Sequence, residues 1–184
     1  DGAETLFLRA LKGLEETLGP KHLEVLSIVK KLGHLFIDKG NLDDGEKLLR
    51  QALEGYDETL GSDHLETLIR ARCLGVLLSS KNDYEGAEKL YQQALEGGEK
   101  TNRHDHPNTL ICINNLGVIL NKSGDLEGAL ELLRSRAAHS SEAEYALGYN
   151  LACYECLTGN LEEAKIVIKK HLESCGEEWA KKID

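Results

Sequence analysis

The sequence contains no methionine, only two prolines and few aromatic residues. Two prolines against 18 glycines favour helices that end at glycine over a sheet whose turns contain proline. Because aromatic residues make up 5% of the chain, its core must be built mainly from leucine, isoleucine, valine and alanine. The missing initiator methionine leads us to expect a fragment of a longer protein.

Long apolar runs and an excess of basic residues are also missing, and each absence argues against a class of partner. No apolar stretch approaches the roughly 18–20 residues that a membrane span requires, and no secretory leader opens the chain. The formal net charge is −10, whereas a nucleic-acid-binding protein needs a basic surface. We therefore expect a cytoplasmic protein that binds neither membranes nor nucleic acids.

One stretch of about ten residues occurs three times at a fixed spacing. It reads TLGPKHLEVL at 17–26, TLGSDHLETL at 59–68 and TNRHDHPNTL at 101–110, so that each copy begins 42 residues after the last. Such a period is typical of a repeated structural unit that buries its apolar face only by stacking on its neighbours.

A short loop marks a second place in each repeat. It reads KGNLD at 39–43, KNDYE at 81–85, SGDLE at 123–127 and TGNLE at 158–162; the last copy follows after 35 residues instead of 42. Each copy has a residue that tolerates the left-handed conformation closing a helix, followed by a good N-cap for the next helix. The first residues are Gly40, Asn82, Gly124 and Gly159, and the N-caps are Asn41, Asp83, Asp125 and Asn160.

Each repeat is therefore predicted to be a pair of antiparallel helices. Pro107 falls in the first turn of its helix, where its missing N–H does no harm. Small residues recur at two places and predict close helix contacts: Gly33, Gly75, Gly117 and Ala152 in the first helices, and Gly45, Ala87, Ala129 and Ala164 in the second helices. The predicted first helices cover 22–38, 64–80, 106–122 and 143–157, and the second helices cover 3–18, 43–59, 85–101, 127–138 and 162–174.

These places, and the segment NNLGVILNKSGDLEGALELL at 114–133, resemble tetratricopeptide repeats. The 42-residue period resembles the long repeats of kinesin light chains and their relatives. The resemblance implies an all-α, right-handed superhelical solenoid of antiparallel helix hairpins. It divides the chain into the second helix of a truncated repeat at 1–19, repeats at 22–60, 64–102, 106–138 and 143–175, and the start of a capping helix at 177–184.

The resemblance further implies that the first helices line a concave groove, which binds a peptide segment of a protein partner. Arginine and lysine attract carboxylates, and asparagine offers a donor and an acceptor to an extended backbone, so that an acidic or mixed polar–apolar segment is expected. The implied groove residues are Lys30, Lys31, His34, Arg72, Asn114, Asn115, Asn121, Lys122, Tyr149 and Asn150, with Val76, Val118 and Cys153 among them.

One variant of this function is disfavoured. Tetratricopeptide co-chaperones hold a C-terminal carboxylate with a Lys–Asn, Asn, Lys–Arg set on three successive first helices. Neither register of this chain completes that set: one gives Lys30, His34, Cys73, Ile111 and Asn115, and the other gives Arg72, Val76, Asn115, Ala146 and Asn150.

Cysteines and histidines are the other candidate sites. Cys153 and Cys156 form a CxxC without a second Cys/His pair at zinc-finger spacing, which favours structural thiols over a redox or metal site. The repeat puts His22, His64 and His106 on different hairpins, so they are expected at helix starts, while the HDH loop at 104–106 leaves a two-histidine metal site as an alternative. The five cysteines are expected to be reduced: Cys73, Cys112, Cys153, Cys156 and Cys175.

No phosphate-binding glycine loop, nucleophile elbow or HExxH motif occurs, and the carboxylates are spread over helix surfaces. We therefore expect no enzymatic activity and no cofactor. The competing interpretation is a module for self-association or intramolecular regulation in a larger signalling protein, because a solenoid exposes apolar faces at its ends.

Overall fold

The computed structural model describes residues 2–139 and 141–174, and the side chains of 141–145 and 174 are not described. These residues form nine helices and no strand, which confirms the all-α class. The predicted capping helix at 177–184 and Cys175 lie outside the described residues. The helices are α1 Gly2–Leu18, α2 Leu23–Asp38, α3 Leu42–Leu60, α4 Leu65–Ser80, α5 Tyr84–Lys100, α6 Pro107–Lys122, α7 Leu126–Ala137, α8 Ser141–Leu157 and α9 Leu161–Ser174.

The chain divides into two compact units, residues 1–101 and residues 102–184. In the first unit, α2 pairs with α3 and α4 with α5, while α1 packs against α2 and α3 against α4. In the second unit, α6 packs against α7 and α8, α7 against α8, and α8 against α9.

The short loops have the conformations that the sequence predicts. The backbone is left-handed at Gly40 (φ 81°), and Asn82 adopts the same conformation (φ 64°), which asparagine tolerates better than other residues with a Cβ. The side chains of Asn41, Asp83 and Asp125 each accept a hydrogen bond from the backbone amide three residues later. This satisfies an amide that the first turn of a helix otherwise leaves without a partner.

Three histidines begin the first helices. Nδ1 of His22, His64 and His106 accepts a hydrogen bond from the backbone amide two residues later, at 3.3, 3.2 and 3.1 Å. The predicted roles of these residues at helix starts are therefore confirmed.

Small residues lie where the two helices of a hairpin approach each other most closely. A Cβ at Gly45 would lie 2.5 Å from Cγ1 of Ile37 and 3.0 Å from the carbonyl oxygen of Gly33. In the next hairpin a Cβ at Gly75 would lie 2.8 Å from the buried ring of Tyr91. The helices approach each other so closely at these points that only a small residue fits.

Ion pairs on the surface repeat with the same period. Lys39 contacts Glu4 and, 42 residues later, Lys81 contacts Glu46, each at 2.7 Å. A second pair is reversed in sign between hairpins, since Lys21 contacts Glu58 at 2.6 Å whereas Asp63 contacts Lys100 at 3.7 Å. The second pair is exposed in both hairpins and contributes little free energy, but its reversal disfavours pairing of a helix with the wrong hairpin.

None of the helices in the described ranges is long and apolar enough to cross a lipid bilayer.

Candidate functional site

In the first unit, four of the predicted groove residues lie on the first helices of the two hairpins. Lys30, Lys31 and His34 belong to α2, and Arg72 belongs to α4, 42 residues after Lys30. Lys30 and Arg72 are half-buried, while Lys31 and His34 are exposed. We call these four side chains the basic face.

The basic face has an excess of positive charge. Burial lowers the pKa of Lys30 below its usual value, and the charges of Arg70 and Lys31 lower it further, against the opposing effect of Glu66. The side chain of His34 is exposed on one side, but partial desolvation of its ring lowers its pKa, and Lys30 and Arg70 lower it further, against Asp38. Since the cations disfavour one another, an arriving anion would be stabilised here.

Arg70 on α4 is not one of these four residues, but its charge acts on both Lys30 and His34. Its side chain is only 10% exposed, donates to Oε2 of Glu66 at 2.7 Å and lies over the ring of Tyr56, 5.5 Å from the centroid. These contacts fix the guanidinium. Sequence reasoning missed Arg70, although a charged residue stands there in the register of apolar Ile28 and Cys112, and that contrast was a usable signal.

A pocket of about 210 Å³ opens beside the basic face. Its size is below the range of pockets for drug-sized ligands and suits one large side chain. Val76, on its lining, is 46% exposed. The lining combines a mainly apolar wall with one histidine and one arginine: His34, Ile37, Leu49, Arg72, Cys73, Val76, Leu77 and Ser80.

In the second unit, two of the predicted asparagines are engaged with each other. Nδ2 of Asn150 on α8 donates to Oδ1 of Asn114 on α6 at 3.0 Å, and Nδ2 of Asn114 donates to the carbonyl oxygen of Ala146 at 2.9 Å. These bonds join α6 to α8. The two residues therefore have a structural role in addition to any contact with a partner.

The other predicted residues of this unit present polar and apolar groups. Among the described residues, the side chains of Asn115 and Asn121 have no hydrogen-bond partner and are half-buried. Lys122 is exposed, and Tyr149 is 62% exposed on α8. Val118 and Cys153 are half-buried.

The four described cysteines are free thiols, and within the described ranges no three His, Cys, Asp or Glu side chains form a group that could hold a metal ion. Cys112 is buried, Cys153 is half-buried and Cys156 is exposed. In the HDH loop, the ring of His104 stacks on that of His139 with centroids 6.3 Å apart.

The match to a known family settles the nature of these hairpins. The family description "Tetratricopeptide repeat" matches residues 25–100 and, in a second overlapping position, residues 67–140. The chain belongs to the tetratricopeptide repeat family. The matched residues cover more than half of the chain and include hairpins of both units, so that the family resemblance predicted from the sequence is confirmed.

Solved structures show the same fold. A putative kinesin light chain from Podosopora anserina with nearly identical TPR-like repeats is 22% identical, with a TM-score of 0.77 over 92% of this chain and 84% of that one. BtubC (BKLC) from P. vanneervenii is 20% identical, with a TM-score of 0.77 over 99% and 72%. The Rap conjugation gene regulator of plasmid pLS20, in complex with the Phr* peptide, is 18% identical, with a TM-score of 0.65 over 94% and 47%. None of the curated proteins matches the tetratricopeptide chain in sequence.

Proposed function

We propose that this tetratricopeptide chain is a protein-interaction scaffold without enzymatic activity, whose first helices bind a peptide segment of a partner. The observation that carries the proposal is the pocket of about 210 Å³ that His34 and Arg72 line together with apolar side chains. Basic groups beside an apolar pocket suit a segment that combines carboxylates with one large apolar side chain. The Rap regulator, which shares this fold over 47% of its own length, is a neighbour that forms a complex with a peptide.

The basic face supplies the charge for recognition. Arg72 can bind a carboxylate bidentately, whereas Lys30 and Lys31 act as point charges. Arg70, held by Glu66 and the Tyr56 ring, adds positive charge without moving. Because the helices already fix the backbone positions of these groups, little backbone entropy is lost from the scaffold when the segment binds.

The second unit supplies hydrogen bonds of a different kind. The side-chain amides of Asn115 and Asn121 have no partner in the described part of the chain, so they can pair with the backbone of an extended segment. Asn114 and Asn150 contribute by holding α6 against α8. The exposed ring of Tyr149, which precedes Asn150 on α8, offers an apolar surface in the same unit.

The double variant Arg72→Glu with Asn115→Ala tests this function. Reversing the charge on the pocket wall and removing the amide is expected to weaken capture of a partner by at least about tenfold, since the lost charged contact of Arg72 alone costs roughly 1.5–3 kcal/mol. The measurement is a quantitative pull-down with wild-type and variant chains side by side.

Arg50→Glu is the matched control, because Arg50 is an exposed arginine in the first unit on α3, outside the basic face. It should leave capture unchanged. Partner binding that survives the double variant undiminished would remove the assignment of these helices as the binding surface.

A second candidate function, self-association, is favoured by an open place on α1. A Cβ at Gly13 would meet no atom within 4 Å, whereas Leu26 fills the corresponding space at Gly55, 42 residues later. Leu6 on the same helix is 63% exposed. A helix from a second copy could cover this surface.

Sedimentation velocity over a range of concentrations distinguishes the two functions. If self-association is the function, the wild-type chain should sediment faster as its concentration rises, and Leu6→Glu should abolish the change by placing a charge in the contact. Leu161→Glu, which alters a similarly exposed leucine of the second unit, should not. A strict monomer at every concentration would exclude self-association through α1.

A further inference from the structure

His34 lies in the proposed binding site and has a side chain that can take up a proton. It lines the pocket beside the basic face, and a histidine ordinarily changes its charge near pH 6.5. The neighbouring cations do not share this property, because lysine and arginine remain charged throughout the neutral range.

The groups around His34 are mostly positive. On its own helix, Lys30 and Asp38 affect it with opposite signs. From α4, Arg70 acts on it, and Arg72 and Cys73 share the lining of its pocket. From α3, the lining contributes the apolar Leu49.

The carboxylates near this group do not neutralise it. Glu66 on α4 pairs with Arg70 at 2.7 Å and offsets part of its charge, and Asp38 is the carboxylate that opposes the effect of desolvation, Lys30 and Arg70 on His34. The result is that the pKa of His34 lies below its usual value, so that the empty site favours the neutral ring. A carboxylate arriving at the basic face would reverse the balance, because it stabilises the imidazolium.

We infer that the first unit binds its acidic segment together with a proton at His34, so that binding strengthens as the pH falls below neutral. The inference rests on the proposed peptide-binding function and adds its regulation. One linked proton can change the affinity by at most about tenfold per pH unit. The sign follows from linkage: the bound state holds more protons than the free state, and acid therefore favours binding.

Acidification has the opposite effect on the folding stability of the chain that has no segment bound. A histidine whose folded pKa is lowered binds protons better when unfolded, so the free protein loses stability as the pH falls through the usual value near 6.5. A bound acidic segment counteracts this loss. The loss of stability and the gain in affinity are two consequences of the same proton uptake at His34.

The probe for the test is an acetylated and amidated heptapeptide with three aspartates on each side of one leucine. Its carboxylates have an ordinary pKa of about 3.9 and stay ionised in the range used. We expect isothermal titration calorimetry to show roughly threefold or greater tightening between about pH 7.5 and about pH 6. NMR titration of the His34 ring should show its pKa raised when the probe is saturating.

Two substitutions distinguish the effect of the proton on binding from the effect of the other contacts of the His34 side chain. His34→Gln, which is always neutral, should bind the probe with the weaker affinity at both pH values. His34→Lys, which is always charged, should bind with the tighter affinity at both. His139→Gln, which alters an exposed histidine of the second unit, should keep the full pH dependence.

The results of these measurements distinguish the proton linkage at His34 from the peptide-binding function. Binding that is the same at both pH values, or a pH dependence that persists in His34→Gln, overturns the proton linkage and leaves the peptide-binding function in place. Failure of the probe to bind at either pH counts against an acidic segment at the basic face and removes the linkage with it.

Discussion

Arg134→Ala is expected to destabilise the second unit by about 3 kcal/mol, because it leaves a buried carboxylate without its main partner. Glu155 on α8 has no exposed surface, and its two oxygens accept from Nε and a terminal nitrogen of Arg134 on α7, each at 2.6 Å. Asn160 donates a third hydrogen bond at 3.1 Å, which cannot replace a charge. Urea denaturation followed by circular dichroism measures the loss.

The position of Glu155 in the repeat indicates which second substitution should restore the lost stability. Glu155 stands 35 residues after Leu120 and 77 after Leu78, which occupy the same position in earlier hairpins. Adding Glu155→Leu to Arg134→Ala should therefore recover most of the stability, since apolar residues often replace a buried ion pair without loss.

Arg50→Ala is the matched control, because Arg50 lies two repeats before Arg134 in the same register. Its pair with Glu46 is on the surface, with the Arg50 side chain 52% exposed, and should contribute less than about 1 kcal/mol. Two results would contradict the stabilising role of the buried pair. One is that Arg134→Ala lowers the free energy of unfolding no more than Arg50→Ala does. The other is that Glu155→Leu lowers it further.

The helices and loops were predictable because local chemistry determines them. The predicted helix at 64–80 is observed as Leu65–Ser80 and the one at 85–101 as Tyr84–Lys100. Asp83 caps α5 and His64 caps α4 as expected. Such signals involve residues two or three apart, so a sequence contains all of the information they need.

Side-chain pairings across helices were less predictable. The family resemblance placed Asn114 and Asn150 in one predicted groove, but an amide can pair with a neighbouring helix or with a ligand, and the resemblance does not distinguish these outcomes. The hydrogen bond between the two depends on the distance between α6 and α8. The pair of Arg134 and Glu155 joins residues 21 apart on different helices and was also missed.

Departures from the repeat were the signals that could have revealed these groups. Arg70 stands where the neighbouring repeats have Ile28 and Cys112, and Glu155 stands where they have Leu78 and Leu120. A charge at an apolar place of a repeat indicates either an internal ion pair or a functional group. Here the charge of Arg70 acts on His34 in the basic face, whereas Glu155 is paired inside the second unit.

Leu68→Ala is expected to destabilise the first unit by about 3 kcal/mol, as is typical when a fully buried leucine is truncated. Leu68 on α4 is 1% exposed, and one of its methyl groups would lie 2.5 Å from a Cβ at Gly97 on α5. The leucine thus fills the space that the glycine leaves, and its removal opens a cavity between the helices. Chemical denaturation reports the cost, and Leu8→Ala, at a leucine 46% exposed, should cost less than about 1 kcal/mol.

The partner substitution shows whether Leu68 and Gly97 act as one contact. Gly97→Ala alone should cost about 1 kcal/mol, because displacement of Leu68 outweighs the better helix propensity of alanine. In the double variant the new methyl group enters the space that Leu68 vacated, so the total loss should be smaller than the sum of the two by about 1 kcal/mol or more. Strict additivity would mean that the two residues do not share a space, and that the glycine has another reason to be there.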